Sequence, residues 1–238
     1  MINGLYSGAA ALDVLAKQQE LISHNLMHLN TSGHRRLQAG VKQRFELENL
    51  DANIDLGPEV ELYQADFQVG RQLETGRPLD VAIGGDGFLV FDSGNNEYLS
   101  RNGRLFRDAE SNLLVNEEGF PIQGDSGPIT IDINIADQDL TIAADGTIAA
   151  NGQTLGKIKT VAFEDNQTLI PVGAAGFRPG NESVESEQSV PVMQFRHELS
   201  NVQPVSELVA LIVNNRQYEA VQKATRAISD SLREYIRE

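Results

Sequence analysis

The sequence predicts an α+β fold: a central, mostly antiparallel β domain flanked by N- and C-terminal helices that pair as a coiled coil. Two observations predict the flanks and one the middle. Both ends carry apolar residues on a seven-residue repeat. The middle consists of short apolar runs broken by Asn-Gly and Asp-Gly pairs. No helical periodicity separates those runs, which excludes a parallel α/β sheet, because parallel strands need crossover helices.

At the N-terminus, Asn3 is placed to cap a helix running to about Leu29 or Asn30. At ~1.5 Å per residue it is roughly 40 Å long. Leu5, Leu12 and Leu26 form one series, interrupted by Gln19, and Gly8, Leu15, Ile22 and Leu29 form the other. Alternating steps of three and four make a coiled-coil seam. Gly33, after Asn30-Thr31-Ser32, suits the left-handed position that ends a helix. From Leu37 to Asp55 the pattern is mixed, polar and charged, with room for helical turns.

Gly57-Pro58 opens a strand-like region containing Val60, Leu62, Phe67 and Val69. Leu79–Ile83 reads as a strand closed by a turn at Gly84-Gly85-Asp86-Gly87. Phe88–Phe91 is a second, closed by Asp92-Ser93-Gly94-Asn95-Asn96. Tyr98–Arg101 runs into Asn102-Gly103, and Asn112–Val115 into Glu118-Gly119. Ile129, Ile131, Ile133 and Ile135 alternate with polar residues at period two and predict one further strand. Thr147–Ala150 lies between Asp145-Gly146 and Asn151-Gly152, turns whose central residues need positive φ.

Asn181–Ser189 is polar and acidic and reads as an exposed connector. Pro204 then suits the first turn of a last helix. Its seam is Leu211, Tyr218, Thr225 and Leu232 against Asn214, Val221, Ile228 and Tyr235, more polar than the first. An ordinary amphipathic helix packed on the central domain explains either stripe equally well. The expected organisation is an N-terminal helix at 1–36, a connector at 37–75, a β domain with its acidic connector at 76–199, and a C-terminal helix at 200–238.

Composition narrows the function classes. The 34 acidic against 19 basic residues give a net charge of -15, which argues against nucleic acid and anionic membranes as partners. Cysteine is absent, so disulfides, thiolate metal sites and cysteine nucleophiles are excluded. No run approaches the ~18 apolar residues needed to span a bilayer, so no membrane insertion is expected. No basic residue precedes Lys17 and Asp13 interrupts the apolar run, so no cleaved secretory signal is expected.

Catalytic, cofactor and metal sites are assigned to no residue. His24 and His28 share a helical face near His34, but no fixed carboxylate completes a metal site, and they read as interface or surface histidines. Gly84–Gly87 leads into a strand rather than a helix, so it reads as a β turn and not a phosphate loop. Asp137, Asp139 and Asp145 lack the spacing of a calcium loop and read as turn acids.

Three separated stretches resemble the bacterial flagellar hook and basal-body rod family. The first is Gly4–Ala10 with His24–Gly33, containing Asn25, Asn30, Thr31 and Gly33. The second is Thr75–Ile83 continuing through Gly85–Phe88 and Tyr98–Gly103, containing Pro78, Leu79, Asp80, Gly87, Phe88, Arg101 and Gly103. The third is Ser200–Val202 with Glu207–Val209 and Asn215–Ala220, containing Asn201, Val202, Tyr218 and Glu219. His24, His28 and His34 depart from the family pattern. The chain lacks room for the large outer domain of a hook subunit, so it looks like a rod protein, proximal or distal.

The resemblance implies a non-enzymatic structural subunit that polymerises axially through paired terminal helices, transmits torque and encloses the export channel. Its implied partners are itself, other rod and hook proteins and the flagellar export apparatus, and its implied place is the periplasm-spanning rod. The expected assembly interface is Leu5, Leu12, Leu15, Ile22, Leu26 and Leu29 with Leu211, Tyr218, Val221, Ile228 and Leu232. The rival readings are a secreted or surface β binding module oligomerised by a helical stalk, and a β hydrolase working through carboxylates.

Overall fold

The computed structural model describes residues 2–47, 53–94, 97–186 and 190–237. Parts of three sequence expectations lie outside them: the middle of the connector at 48–52, the turn residues Asn95-Asn96, and the end of the acidic connector at 187–189. The Tyr235 side chain also lies outside the description. The chain forms two compact units. The first is Met1–Met27, Leu37–Asp66 and Val202–Glu238, and the second is His28–Arg36 with Phe67–Asn201.

The first unit holds helix α1 (Ile2–Met27), a hairpin of strands β1 (Leu37–Leu47) and β2 (Asn53–Ala65), and helix α2 (Pro204–Arg237). Here α1 packs against α2 and against both strands of the hairpin. Asn3 lies inside α1 rather than capping it, and the helix stops two residues before Leu29. The helical turns expected between Leu37 and Asp55 are replaced by β1 and the start of β2. The reason is visible in the residues: Leu37, Ala39, Val41, Phe45 and Leu47 alternate with polar or small ones, a period of two that fits a strand and no helix. The register shifts at Gly40/Val41 and at Arg44/Phe45, two irregularities that increase the local twist.

Asn25 joins the end of α1 to the start of β1. Its Nδ2 donates to the Leu37 carbonyl and its Oδ1 accepts from the Leu37 amide, each at 2.8 Å. The side-chain amide therefore pairs with Leu37 as a neighbouring strand would. With Asn25 1% exposed, these bonds are shielded from water.

In the second unit, six antiparallel strands form the largest sheet, ordered Ile170–Val172, Gly176–Arg178, Glu97–Ser100, Gly87–Asp92, Thr160–Phe163, Glu185–Ser186. Its central strand is buried on both faces, from Phe88 to Phe91. Leu89 and Phe91 join Leu105, Leu114, Ile122 and Ile131 in the main core. Phe88 instead meets Phe67, Phe163 and Phe177, with centroids at 6.1, 6.3 and 5.7 Å in edge-on geometry. Edge contacts place the positive rim of one ring against the negative face of another. Tyr98 lies in the main core and donates its hydroxyl to Glu118 Oε1 at 3.2 Å. Burial, and after it the negative Glu118, hold this phenol protonated far above its ordinary range.

A second sheet runs Leu140–Ile142, Thr147–Ala150, Gln153–Lys157. Its Asn151-Gly152 turn has φ of 52° and 80°, the two positive values such a hairpin needs. The strand expected over Ile129–Ile135 does not form. Asp132 accepts the Asn134 amide on its side chain at 2.9 Å and the Ile135 amide on its carbonyl at 3.0 Å, turning the chain back. Asp competes with strand pairing through such local bonds. Ile129 and Ile131 stay buried, while Ile133 is 70% exposed. Near Phe195 the chain bulges between two short strands: its φ is 64°, and its carbonyl accepts the Thr75 amide at 2.8 Å.

Phe88→Ala removes the ring shared by three aromatic neighbours. We expect it to destabilise the second unit by about 3–5 kcal/mol, read as a lowered urea midpoint with an unchanged slope.

Candidate functional site

The pairing of the terminal helices is set by small and polar residues where the two axes approach. A Cβ on Gly8 would lie 2.6 Å from Thr225 Oγ1, so no larger residue fits there without movement. A Cβ on Gly4 would meet Ile228 Cδ1 at an ordinary 3.5 Å. Further along, Asn214 Nδ2 donates to Gln18 Oε1 at 3.3 Å. These contacts advance along α1 as they retreat along α2, so the helices run antiparallel. Thr225 turns its hydroxyl to the Val221 carbonyl at 2.9 Å, satisfying it within its own helix.

The residues expected at the seam fall as follows. Leu15 and Ile22 are buried; Leu5, Leu12 and Leu26 are half-buried. On α2, Leu211, Tyr218, Val221, Ile228 and Leu232 are all half-buried. Leu29 lies beyond the end of α1 and belongs to the second unit. Between the half-buried positions, the buried side chains of α2 are polar: Glu207 and Asn214.

In the second unit the family-like stretches converge on two residues. The first is Glu198, fully buried. Its Oε1 lies 2.7 Å from Arg35 Nη2 and accepts the Gly70 amide at 2.6 Å, and its Oε2 accepts Arg101 Nε at 2.8 Å. Arg101 also donates to the carbonyls of Gly85 at 2.9 Å and Gly87 at 2.6 Å, which fixes the glycine turn. The Glu198 carbonyl accepts the Gly33 amide at 2.8 Å. Gly33 takes φ of 70°, and a Cβ there would stand 2.4 Å from the Arg101 backbone, so only glycine lets the chain pass.

The second is Asn201. Its Oδ1 accepts the Arg36 amide at 2.7 Å, its Nδ2 donates to the Gln68 carbonyl at 3.1 Å, and its own amide donates to the His34 carbonyl at 3.3 Å. Arg36 and Asn201 end the two segments of this unit and Gln68 stands one residue into the second, so one side chain gathers three stretches of chain.

The remaining motif positions are structural in the same sense. Buried Asp80 accepts Thr75 Oγ1 at 2.8 Å and Arg77 Nη1 at 3.0 Å, and its Oδ2 lies 3.6 Å from His197 Nδ1. Pro78 gives its carbonyl to Gln194 Nε2 at 2.8 Å, and Leu79 is in the core. Gly103 accepts the Val81 amide on its carbonyl at 2.8 Å. Thr31 bonds back to His28, whose ring lies 5.2 Å from that of His34; Asn30 is exposed in the same turn. Val202 is buried in the first unit and Glu219 is exposed on α2. Sequence reasoning missed Arg35, Glu198 and Gln18. No local pattern marks Glu198, the charged last residue of a three-residue strand, as buried, although it stands just before the Ser200-Asn201 pair.

The antiparallel pair of terminal helices and the mostly antiparallel β middle match the fold class that the sequence predicts. Residues 82–150 match the family model described as the flagellar hook protein FlgE/F/G D1 domain, and residues 193–237 match the flagellar basal body rod FlgEFG protein C-terminal region. In its β middle and at its C-terminal end the chain is thus similar to flagellar hook and basal-body rod proteins. Its relatives include the flagellar basal-body rod protein FlgF of Caulobacter vibrioides, 29% identical over 94% of this chain and 92% of that one. FlgF of Salmonella typhimurium is 27% identical over 97% and 96%. The rod protein FlgG of Agrobacterium fabrum is 29% identical over 93% and 94%.

Glu198→Ala strands two buried guanidinium groups. We expect it to cost roughly 3–5 kcal/mol, seen as loss of the cooperative unfolding transition of the second unit at moderate urea.

Proposed function

We propose that this chain is a structural subunit of the bacterial flagellar basal-body rod. It polymerises axially through its paired terminal helices, carries torque along the rod and helps to enclose the export channel. The observation that carries this reading is the likeness to FlgF and FlgG rod proteins over nearly the whole chain, at both helical ends and through the β middle. Its partners are its own copies and other rod and hook proteins, and it reaches the rod through the flagellar export apparatus. Its role is mechanical: charge pairs such as Arg35–Glu198–Arg101 serve rigidity rather than chemistry.

Physical reasoning supports a load-bearing use of the first unit. An antiparallel helix pair with a close Gly8–Thr225 approach resists sliding, because the axes cannot shift without driving larger side chains into the gap. The β middle supplies a rigid core with a double-sided central strand.

Deleting the gene should abolish motility and basal-body rods, with restoration by the intact chain. Motility that survives deletion overturns the reading. Leu15→Asp or Ile228→Asp should leave the β unit folded, by near-ultraviolet dichroism and urea unfolding, yet fail to restore swimming. Normal swimming by either variant overturns the assignment of the seam to assembly.

A further inference from the structure

At the edge of the largest sheet, one arginine stands apart from its neighbours. Arg35, Arg77, Arg101, Arg104, Arg107 and Arg196 of the second unit each meet a carboxylate. Arg178 meets none, and among the described residues its guanidinium makes no hydrogen bond. In a chain of net charge -15 an unpaired arginine is unexpected. Arg178 lies directly across the strands from Ile170, so the two side chains share a face. Ile170 is 42% exposed.

These two residues line a cavity of about 410 Å³ together with Pro179, Asn181 and Glu97. That volume falls within the ~300–1,000 Å³ of small-molecule sites. The loop carrying Asn181 is held in place before any ligand arrives. The Gly180 amide donates to Ser183 Oγ at 2.9 Å, the Ser183 amide donates to the Gly180 carbonyl at 3.2 Å, and Ser183 Oγ lies 2.9 Å from Thr168 Oγ1. A Cβ on Gly180 would stand 2.4 Å from the Thr168 carbonyl oxygen, so the loop is pressed against the chain leading to Ile170. None of these bonds uses the Asn181 side chain, which keeps both a donor and an acceptor. Glu97 gives its Oε1 to Lys159 Nζ at 2.8 Å, which leaves its Oε2 for a second donor.

We propose that this cavity binds a small zwitterion with an aliphatic body, an α-amino acid of the leucine type. The carboxylate meets Arg178 and the Asn181 amide, the ammonium meets Glu97, and the side chain lies against Ile170 and Pro179. Arginine suits the carboxylate because its planar fork donates two parallel hydrogen bonds. The lining disfavours other classes. Phosphate and other anions without a positive group are repelled by Glu97, and simple cations are repelled by Arg178. No aromatic side chain lines the cavity to stack on a nucleobase. A loop already fixed lowers the entropy lost on binding. The site uses residues of the second unit alone and does not depend on the rod reading.

In the test, leucine is titrated into the isotopically labelled full chain, and the backbone amide resonances of Arg178 and Asn181 are followed. Saturable shifts in the millimolar range are expected. N-acetylleucine, which lacks the ammonium, and leucinamide, which lacks the carboxylate, should each bind at least about tenfold more weakly. Arg178→Gln and Glu97→Gln should each weaken leucine binding by a similar factor. Both variants should keep the parent urea midpoint, because both side chains are exposed and a surface pair such as Glu97–Lys159 contributes little. Glu97→Gln should leave the binding of N-acetylleucine unchanged. Shifts that do not saturate, derivatives that bind as tightly as leucine, or folded variants that bind leucine as the parent does overturn the proposal.

Discussion

Gln18 and Asn214 touch although they lie 196 positions apart in the chain. Bringing such remote ends together costs conformational entropy, but that cost grows only with the logarithm of the loop length. The contact persists because the helices meet through residues that fit nowhere else. Gly8 admits Thr225 at a distance no Cβ could tolerate, and Asn214 meets Gln18 within a largely apolar contact. A partly buried polar pair of this kind stabilises one register over its neighbours, since sliding by one turn breaks the bond between the two amides. The first unit therefore has one alignment of its ends, and the hairpin beside α1 is tied to that alignment through Asn25 and Leu37.

The second unit is organised around a different economy. Glu198, Arg35 and Arg101 come from three segments distant in sequence, and none is worth burying alone. Together they satisfy one another, and the Gly70 amide and the Gly85 and Gly87 carbonyls complete the shell. Such a cluster adds less net stability than an apolar core of equal volume, but it tolerates no alternative partner. Asn201 does the same for uncharged backbone, holding Arg36, Gln68 and His34 by one side chain and one amide. Gly33, Gly87, Arg101 and Asn201, far apart in sequence, are thus partners in two polar clusters.

The charge distribution separates internal from external contacts. Acidic residues dominate the composition, yet the first turns of α2 expose Val205, Leu208, Val209, Ile212 and Val213 and no charge, and their one carboxylate, Glu207, is buried. Only these first turns expose a run of aliphatic groups; further along, α2 exposes Arg216, Gln217, Glu219 and Lys223 and turns Val221, Ile228 and Leu232 partly inward.

The sequence by itself determined the two helices, the antiparallel character of the middle and several turns, because heptad spacing, Asn-Gly pairs and prolines act through local geometry that needs no partner. Local signals also misled it. Ile129–Ile135 alternates as a strand should, but Asp132 offered the backbone a nearer hydrogen bond; Leu37–Leu47 alternates too, beneath enough charge to obscure it. Only the tertiary structure decided that Glu198 is buried between two arginines, that Gln18 faces Asn214, and that the aliphatic side chains of early α2 point outward. Each of these depends on what lies opposite a residue in space, and a one-dimensional pattern records which face a side chain takes but not what that face meets.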